Sequence, residues 1–147
     1  SPLARQFQKI LYERIFLDKP FEDYVKQTVN ALLDGKFEAE LVLRKRLRRK
    51  MSDYVKNVPP HVQAARKAES IRRQRNLPSM YESGGWIEYV MTVNGPEPRH
   101  FRESAIDYDF YIEKQLGPIA DAILVFKASS LHEIMSTQIG LFGGASD

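Results

Sequence analysis

Six cationic side chains occupy the eight-residue stretch LRKRLRRK at positions 43–50, namely Arg44, Lys45, Arg46, Arg48, Arg49 and Lys50. From Phe37 to Arg48, mainly apolar positions alternate with mainly charged ones, which predicts a strand over residues 37–48 with Arg44, Arg46 and Arg48 on one side. Alternate residues of a strand are about 6.6–6.8 Å apart, close to the phosphate spacing of a nucleic-acid strand. The pattern favours binding of a polyanion. A solvated, salt-bridged face and a polybasic localisation signal are the alternatives.

An aromatic residue and a predicted helix start follow the basic stretch. Tyr54 precedes the pair Pro59 and Pro60, after which a run rich in alanine and arginine predicts a helix over residues 61–75. Free N–H groups at positions 60–62 could bind a phosphate. His61 has no cysteine or histidine near it in a ligand pattern, so a structural, hydrogen-bonding role is favoured over a metal site.

Asp107 and Asp109 are separated by one residue and could be mistaken for a metal-binding pair. They lead directly into a predicted helix, so we interpret them as a helix cap or a first-turn acid, favoured by the helix dipole. The sequence contains no phosphate-cradling glycine loop and no nucleophile–base pair. Because it also contains no cysteine, we predict no catalytic residue and no metal ligand in this chain.

The last eleven residues, TQIGLFGGASD, place Ile139, Leu141 and Phe142 close to a chain end. Each of these side chains would leave about 1.5–3 kcal/mol of burial unused if it stayed in water. They either fold back onto the domain or bind a partner.

The composition is that of a globular protein. The 147 residues are 43% hydrophobic, which suits one domain or part of one. No apolar run approaches the roughly 20 residues that cross a bilayer and no signal pattern opens the chain, so we expect a cytoplasmic protein. The first residue, Ser1, suggests a cut fragment. Residues 36–75 carry thirteen basic and four acidic side chains and residues 76–147 carry four and ten, which indicates a polyanionic partner for the basic part.

Hydrophobic periodicity predicts the remaining elements. Helices are expected over residues 3–15, 20–32 and 107–126, a polar loop over 76–85, and a second strand over 86–93. Pro20 should lie in the first turn of its helix and Gly35 should end it. The turn Asn94-Gly95-Pro96 should close the second strand, and Gly117-Pro118 should break or kink the last long helix. Ser130 and Glu133 should then form a capping box for one short helix.

Four segments resemble successive segments of the C-terminal thumb region of family B DNA polymerases, most closely of a bacterial member. They are SPLARQFQKILYERIF (1–16), LVLRKRLRRKMSDYVKNVPPHVQAARKA (41–68), IEYVMTVNGPEP (87–98) and IDYDFYIEKQLGPIADAIL (106–124). With the periodicity, the expected fold class is α+β, predominantly helical: a thumb-like domain with a small antiparallel β element and a flexible C-terminal peptide. The resemblance implies a helical segment leaving the palm (1–35), a thumb domain (36–136) and a C-terminal tail (137–147).

The resemblance implies that the parent is a DNA-directed DNA polymerase with a 3′–5′ exonuclease and a requirement for Mg²⁺. The metal-binding aspartates of that family lie in a palm turn that this sequence lacks. The chain would be a non-catalytic part that contacts the palm and grips double-stranded primer–template DNA. Its implied DNA-binding residues are Arg44, Lys45, Arg46, Arg48, Arg49, Lys50, Tyr54 and His61.

The segment Gln138-Ile139-Gly140-Leu141-Phe142 resembles the Gln-Leu-x-Leu-Phe peptide with which bacterial polymerases hold the sliding clamp. Ile139 replaces the usual leucine, and five residues follow the motif. The implied clamp-binding residues are Gln138, Ile139, Leu141 and Phe142. Two other classes stay open: a free-standing nucleic-acid-binding or clamp-interacting accessory protein, and a self-contained enzyme.

Overall fold

The computed structural model describes residues 1–137, and the predicted clamp-binding segment lies outside them. The helices are α1 (Pro2–Phe16), α2 (Glu22–Leu33), α3 (Pro60–Gln74), α4 (Tyr108–Tyr111), α5 (Gly117–Leu124) and α6 (131–137). The strands are β1 (Leu43–Leu47), β2 (Gly85–Thr92) and β3 (Gly95–Pro98). The expected α+β class, mainly helical with a small antiparallel sheet, is confirmed. Within the described residues, no helix is both long enough and apolar enough to cross a membrane.

Contacts divide the described residues into two units, one of residues 41–107 and one that combines residues 2–40 with residues 108–137. The domain boundaries expected after residues 35 and 136 stay predictions, because packing within one chain does not define which parts fold separately.

The unit of residues 41–107 is an antiparallel sheet, in the order β1-β2-β3, covered by α3. Leu43 lies opposite Tyr89 and Lys45 opposite Ile87 on the covered face. The buried core of this unit is Leu47, Tyr54, Val62, Ala64, Ala65, Ile87 and Tyr89. Because side chains alternate along a strand, Arg44 and Arg46 lie on the opposite face, and β1 carries them at the edge of the sheet.

β1 is shorter than predicted. The segment Glu38–Leu41 is a 3₁₀ turn, and Leu41 and Val42 are both buried, which breaks the alternation that a strand requires. The strand also ends at Leu47. The prediction that Arg44, Arg46 and Arg48 share one side of a strand is therefore wrong for Arg48, which follows the strand.

The helix ends follow local signals closely. Gly35 has a φ of +76°, and its N–H and that of Lys36 donate to the carbonyl oxygens of Leu32 and Ala31, both at 3.0 Å. This pattern ends α2 as predicted. The Glu133 N–H donates to Ser130 Oγ at 3.1 Å, so the Ser130 half of the capping box predicted for α6 is present. Pro20 lies before α2 and not in its first turn, because the helix begins only at Glu22, so this part of the prediction is wrong.

Gly117-Pro118 does not break the helix. The chain stays helical from Tyr108 to Leu124, and a π-helical segment, Ile112–Leu116, joins α4 to α5. Pro118 lacks an N–H and its ring crowds the carbonyl four residues earlier, so a wider π turn accommodates it without a break. A Cβ atom on Gly117 would lie 3.0 Å from the Ile112 carbonyl oxygen, which explains why glycine suits this position.

β3 has no strand signal in the sequence, because two of its four residues are prolines that cannot donate to a ladder. The buried carboxylate of Glu97 holds it in place. Glu97 accepts hydrogen bonds from the Glu103 N–H at 2.8 Å and from the Thr92 hydroxyl at 2.8 Å. Burial alone would raise the pKa of Glu97, but the hydrogen bonds from Ser104, Glu103 and Thr92 outweigh burial and lower the pKa to about 2.

Glu97→Gln is expected to destabilise this unit at neutral pH. The pKa of Glu97 lies below its ordinary value of 4.5, so its contribution is complete above about pH 4.5 and is lost as the pH falls towards 2. The shift corresponds to about 3 kcal/mol at pH 7. Urea unfolding at pH 7 and pH 3 should show a larger penalty at pH 7. Glu103→Gln, at an exposed neighbouring carboxylate, is the control. Equal penalties for Glu97→Gln at both pH values would contradict this account.

Candidate nucleic-acid interface

A concave surface of about 610 Å³ follows β1; we call it the cationic groove. Its lining residues are Arg44, Lys45, Arg46, Arg48, Arg49, Tyr54, His61 and Trp86. Seven of these belong to the eight predicted DNA-binding residues. The eighth predicted residue, Lys50, is exposed but does not line the groove. The fold therefore brings together side chains that the sequence spreads over positions 44–61.

The cations of residues 43–50 have no acidic partner in the part of the chain that the structure describes. All six are exposed. Glu88 lies opposite Arg44 in the sheet, yet its carboxylate pairs with Arg99 instead, with Nη1 and Oε2 3.1 Å apart. The positive charges of the six cations are therefore not neutralised by nearby carboxylates. The alternative that these cations form a salt-bridged surface has no support among residues 1–137. An uncancelled cationic groove attracts polyanions.

Two aromatic rings hold arginine side chains in the groove. The Arg44 guanidinium carbon lies 4.1 Å from the centroid of Trp86, and that of Arg49 lies 4.4 Å from the centroid of Tyr54. Stacking of this kind fixes a guanidinium while leaving its N–H groups available to phosphate oxygens. Trp86, which is 52% exposed, is absent from the sequence-based site. The sequence feature that could have indicated Trp86 is the alternation in WIEYVMT, which places Trp86 on the same outer face of the strand as Glu88.

The start of α3 offers less to a phosphate than predicted. Pro60 has no N–H, and the Val62 N–H donates to the Pro59 carbonyl oxygen at 3.1 Å. Among positions 60–62, only His61 could then offer an N–H to a ligand. The prediction of several free N–H groups is wrong, because the first turn uses one of them internally.

His61 is buried, with 5% of its surface exposed, and stands edge-on to Tyr54 with ring centroids 6.2 Å apart. Its Nδ1 has no hydrogen-bond partner, so the hydrogen-bonding role expected for this residue is not seen at that atom. Burial and then the positive charge of Lys45 lower the pKa of His61. The ring is therefore neutral at pH 7 and adds no charge to the groove.

Asp107 and Asp109 lie at the start of α4, as the sequence predicts. Asp109 is in the first turn of α4, which confirms its interpretation as a first-turn acid, and Asp107 immediately precedes the helix. Across residues 1–137, no group of three or more histidine, aspartate and glutamate side chains could hold a metal ion.

Comparison with known proteins finds a close similarity to a DNA polymerase. The chain is 47% identical over 142 residues to DNA polymerase II of Escherichia coli (strain K12). The match covers 97% of this chain and 18% of that protein. No protein-family model matches the chain. The identity confirms the predicted resemblance to a bacterial family B DNA polymerase.

Proposed function

We propose that the chain is the C-terminal part of a DNA polymerase similar to DNA polymerase II, and that it forms the thumb that grips the primer–template duplex. The identity of 47% over nearly the whole chain supports a common ancestry with such an enzyme. Because the chain spans 18% of that relative's length, its polymerase parent, its DNA grip and its partners are all part of the proposal. The parent would also carry a 3′–5′ exonuclease and act in replication and repair in the cytoplasm.

The cationic groove is the observation that carries this proposal. It presents exposed cations without carboxylate partners among the described residues, and two of its arginines are fixed on aromatic rings. Contacts from such side chains to phosphates fix the position of a duplex without reading its bases. A polymerase that moves along DNA requires a grip of this sequence-independent kind.

Binding of short duplexes of different sequence, followed by fluorescence anisotropy, tests the grip. If four to six phosphates are neutralised, log affinity should fall against log salt with a slope of roughly −4 to −5. Affinity should differ little between a mixed-sequence duplex and a G·C-rich one. A strong preference for one sequence, or an affinity that does not respond to salt, would contradict this function.

The chain alone is expected to have no catalytic activity. No described residues form a metal-binding group, so we propose that the Mg²⁺ implied for the parent binds in a part of the enzyme that lies outside this chain. Primer extension and exonuclease assays with magnesium should give no product above background. Activity that follows this chain through purification would instead favour a self-contained enzyme.

We further propose that Gln138, Ile139, Leu141 and Phe142 bind the bacterial sliding clamp, and that the chain contacts the palm of the parent polymerase. The clamp proposal is supported by the sequence of the segment alone. A free-standing accessory protein with a basic strand and a clamp peptide is the rival, and it would bind DNA and clamp equally well. Co-purification of the chain with the remaining polymerase domains, expressed separately, would distinguish the two.

A further inference from the structure

A second groove, of about 360 Å³, lies beside the cationic groove and shares Arg44 and Trp86 with it. We call it the aromatic groove. Its lining includes the aromatic residues Tyr81, Trp86 and Phe101 and the cations Arg44, Arg72 and Arg99. It therefore combines flat ring faces with guanidinium groups. Proteins that bind single-stranded nucleic acids use the first to stack on bases and the second to attract the phosphate backbone.

The guanidinium groups of the aromatic groove are fixed in place. Arg72 Nε donates to the Pro78 carbonyl oxygen at 2.7 Å, and Arg99 Nη1 lies 3.1 Å from the Glu88 carboxylate. Glu88 is the one carboxylate among the described residues that line the groove, and Arg99 neutralises it. The groove keeps a net positive charge, and little side-chain freedom is lost when its fixed arginines bind a ligand.

Trp86 lies where the two grooves meet. Its ring is 52% exposed, and the Arg44 guanidinium covers one side at 4.1 Å from the centroid. A flat ligand can extend this stack, either on the guanidinium plane or on the indole. A phosphate held by the β1 arginines would place the base of its own nucleotide, or of the next one, close to Trp86.

We propose that the aromatic groove binds an unpaired nucleobase of single-stranded DNA, next to the duplex that the cationic groove holds. This inference rests on the proposed DNA-binding function. A base in a duplex is stacked on its neighbours and cannot enter, whereas an unpaired base has two free π-faces and a polar edge for the arginine N–H groups. The groove thus distinguishes a junction with single-stranded DNA from a continuous duplex.

The fluorescence of Trp86 provides a direct test, because it is the single tryptophan of the chain. A blunt duplex is compared with the same duplex carrying a short overhang of unpaired thymidines. The overhang should quench Trp86 and tighten binding, whereas the blunt duplex should leave the fluorescence nearly unchanged. Trp86→Ala should remove the advantage of the overhang, a loss of about 5- to 100-fold in affinity, and Trp86→Phe should keep most of it.

Phe126→Ala is the matched control, because Phe126 is an aromatic side chain with 75% of its surface exposed in the other unit. Phe126→Ala should leave the affinity for the blunt duplex and the affinity for the overhang duplex unchanged. If both duplexes bind equally tightly and neither quenches Trp86, the nucleobase site is wrong while the phosphate grip stands. If neither DNA binds at low salt, the proposed function itself fails. A glutamate-rich peptide that quenches Trp86 and displaces the overhang would assign the groove to an acidic protein instead.

Discussion

Replacing Arg44, Arg46 and Arg48 together with alanine is expected to weaken duplex binding on the order of 100-fold at about 0.1 M salt. All three side chains line the cationic groove, and no carboxylate among the described residues pairs with them. Each lost phosphate contact removes roughly one unit from the slope of log affinity against log salt. The slope should therefore flatten by up to about three units, measured by anisotropy titrations across a range of salt concentrations.

The control variant removes the same number of positive charges from the other unit. It replaces Arg5, Lys9 and Lys114, which are exposed, with alanine. Its slope should stay close to that of the parent chain. Equal flattening in both triple variants would mean that net charge alone sets the affinity. An unchanged slope in the Arg44/Arg46/Arg48 variant would mean that these side chains face only solvent.

Arg48 needs a separate comparison, because it lies beyond the end of β1. The double variant Arg44→Ala, Arg46→Ala tests the two arginines that share a face of the strand. If the DNA backbone follows β1, this pair should account for about two of the three units. Arg48→Ala alone should then account for the remaining unit or less.

Elements with strong local signals are predictable from the sequence. The apolar stripe of α1, the proline-set start of α3 and the glycine end of α2 depend on contacts within one or two turns. Gly35, for example, is required at its position because the chain turns there with a φ of +76°. Such features need no knowledge of what packs against them.

The missed features depend on residues that are distant in sequence. β3 exists because the buried carboxylate of Glu97 collects hydrogen bonds from residues 92, 103 and 104, which no local pattern of GPEP indicates. β1 begins only at Leu43, because Leu41 and Val42 are both buried and break the alternation that a strand requires. The cations of the site were found from composition, but Trp86 was not, since only the pairing of β1 with β2 brings it opposite Arg46.

Replacing Leu141 and Phe142 together with alanine is expected to abolish binding to the bacterial sliding clamp. Burial of Ile139, Leu141 and Phe142 would supply roughly 5–8 kcal/mol before ordering and association costs, consistent with a micromolar contact. Removing two of these three side chains should leave affinity too weak to detect. Surface plasmon resonance with immobilised clamp measures this, and duplex binding by the same variant should be unchanged.

The melting temperature separates a partner-binding role from a role in the domain's own core. If Leu141 and Phe142 serve the clamp, the double variant should melt within about a degree of the parent, since surface changes rarely exceed about 0.5 kcal/mol. Val125→Ala with Phe126→Ala truncates an exposed apolar pair among the described residues and should leave clamp binding intact. A fall of many degrees for the Leu141/Phe142 variant would place these side chains in a core. Retained clamp binding by a well-folded variant would show that the clamp recognises another segment.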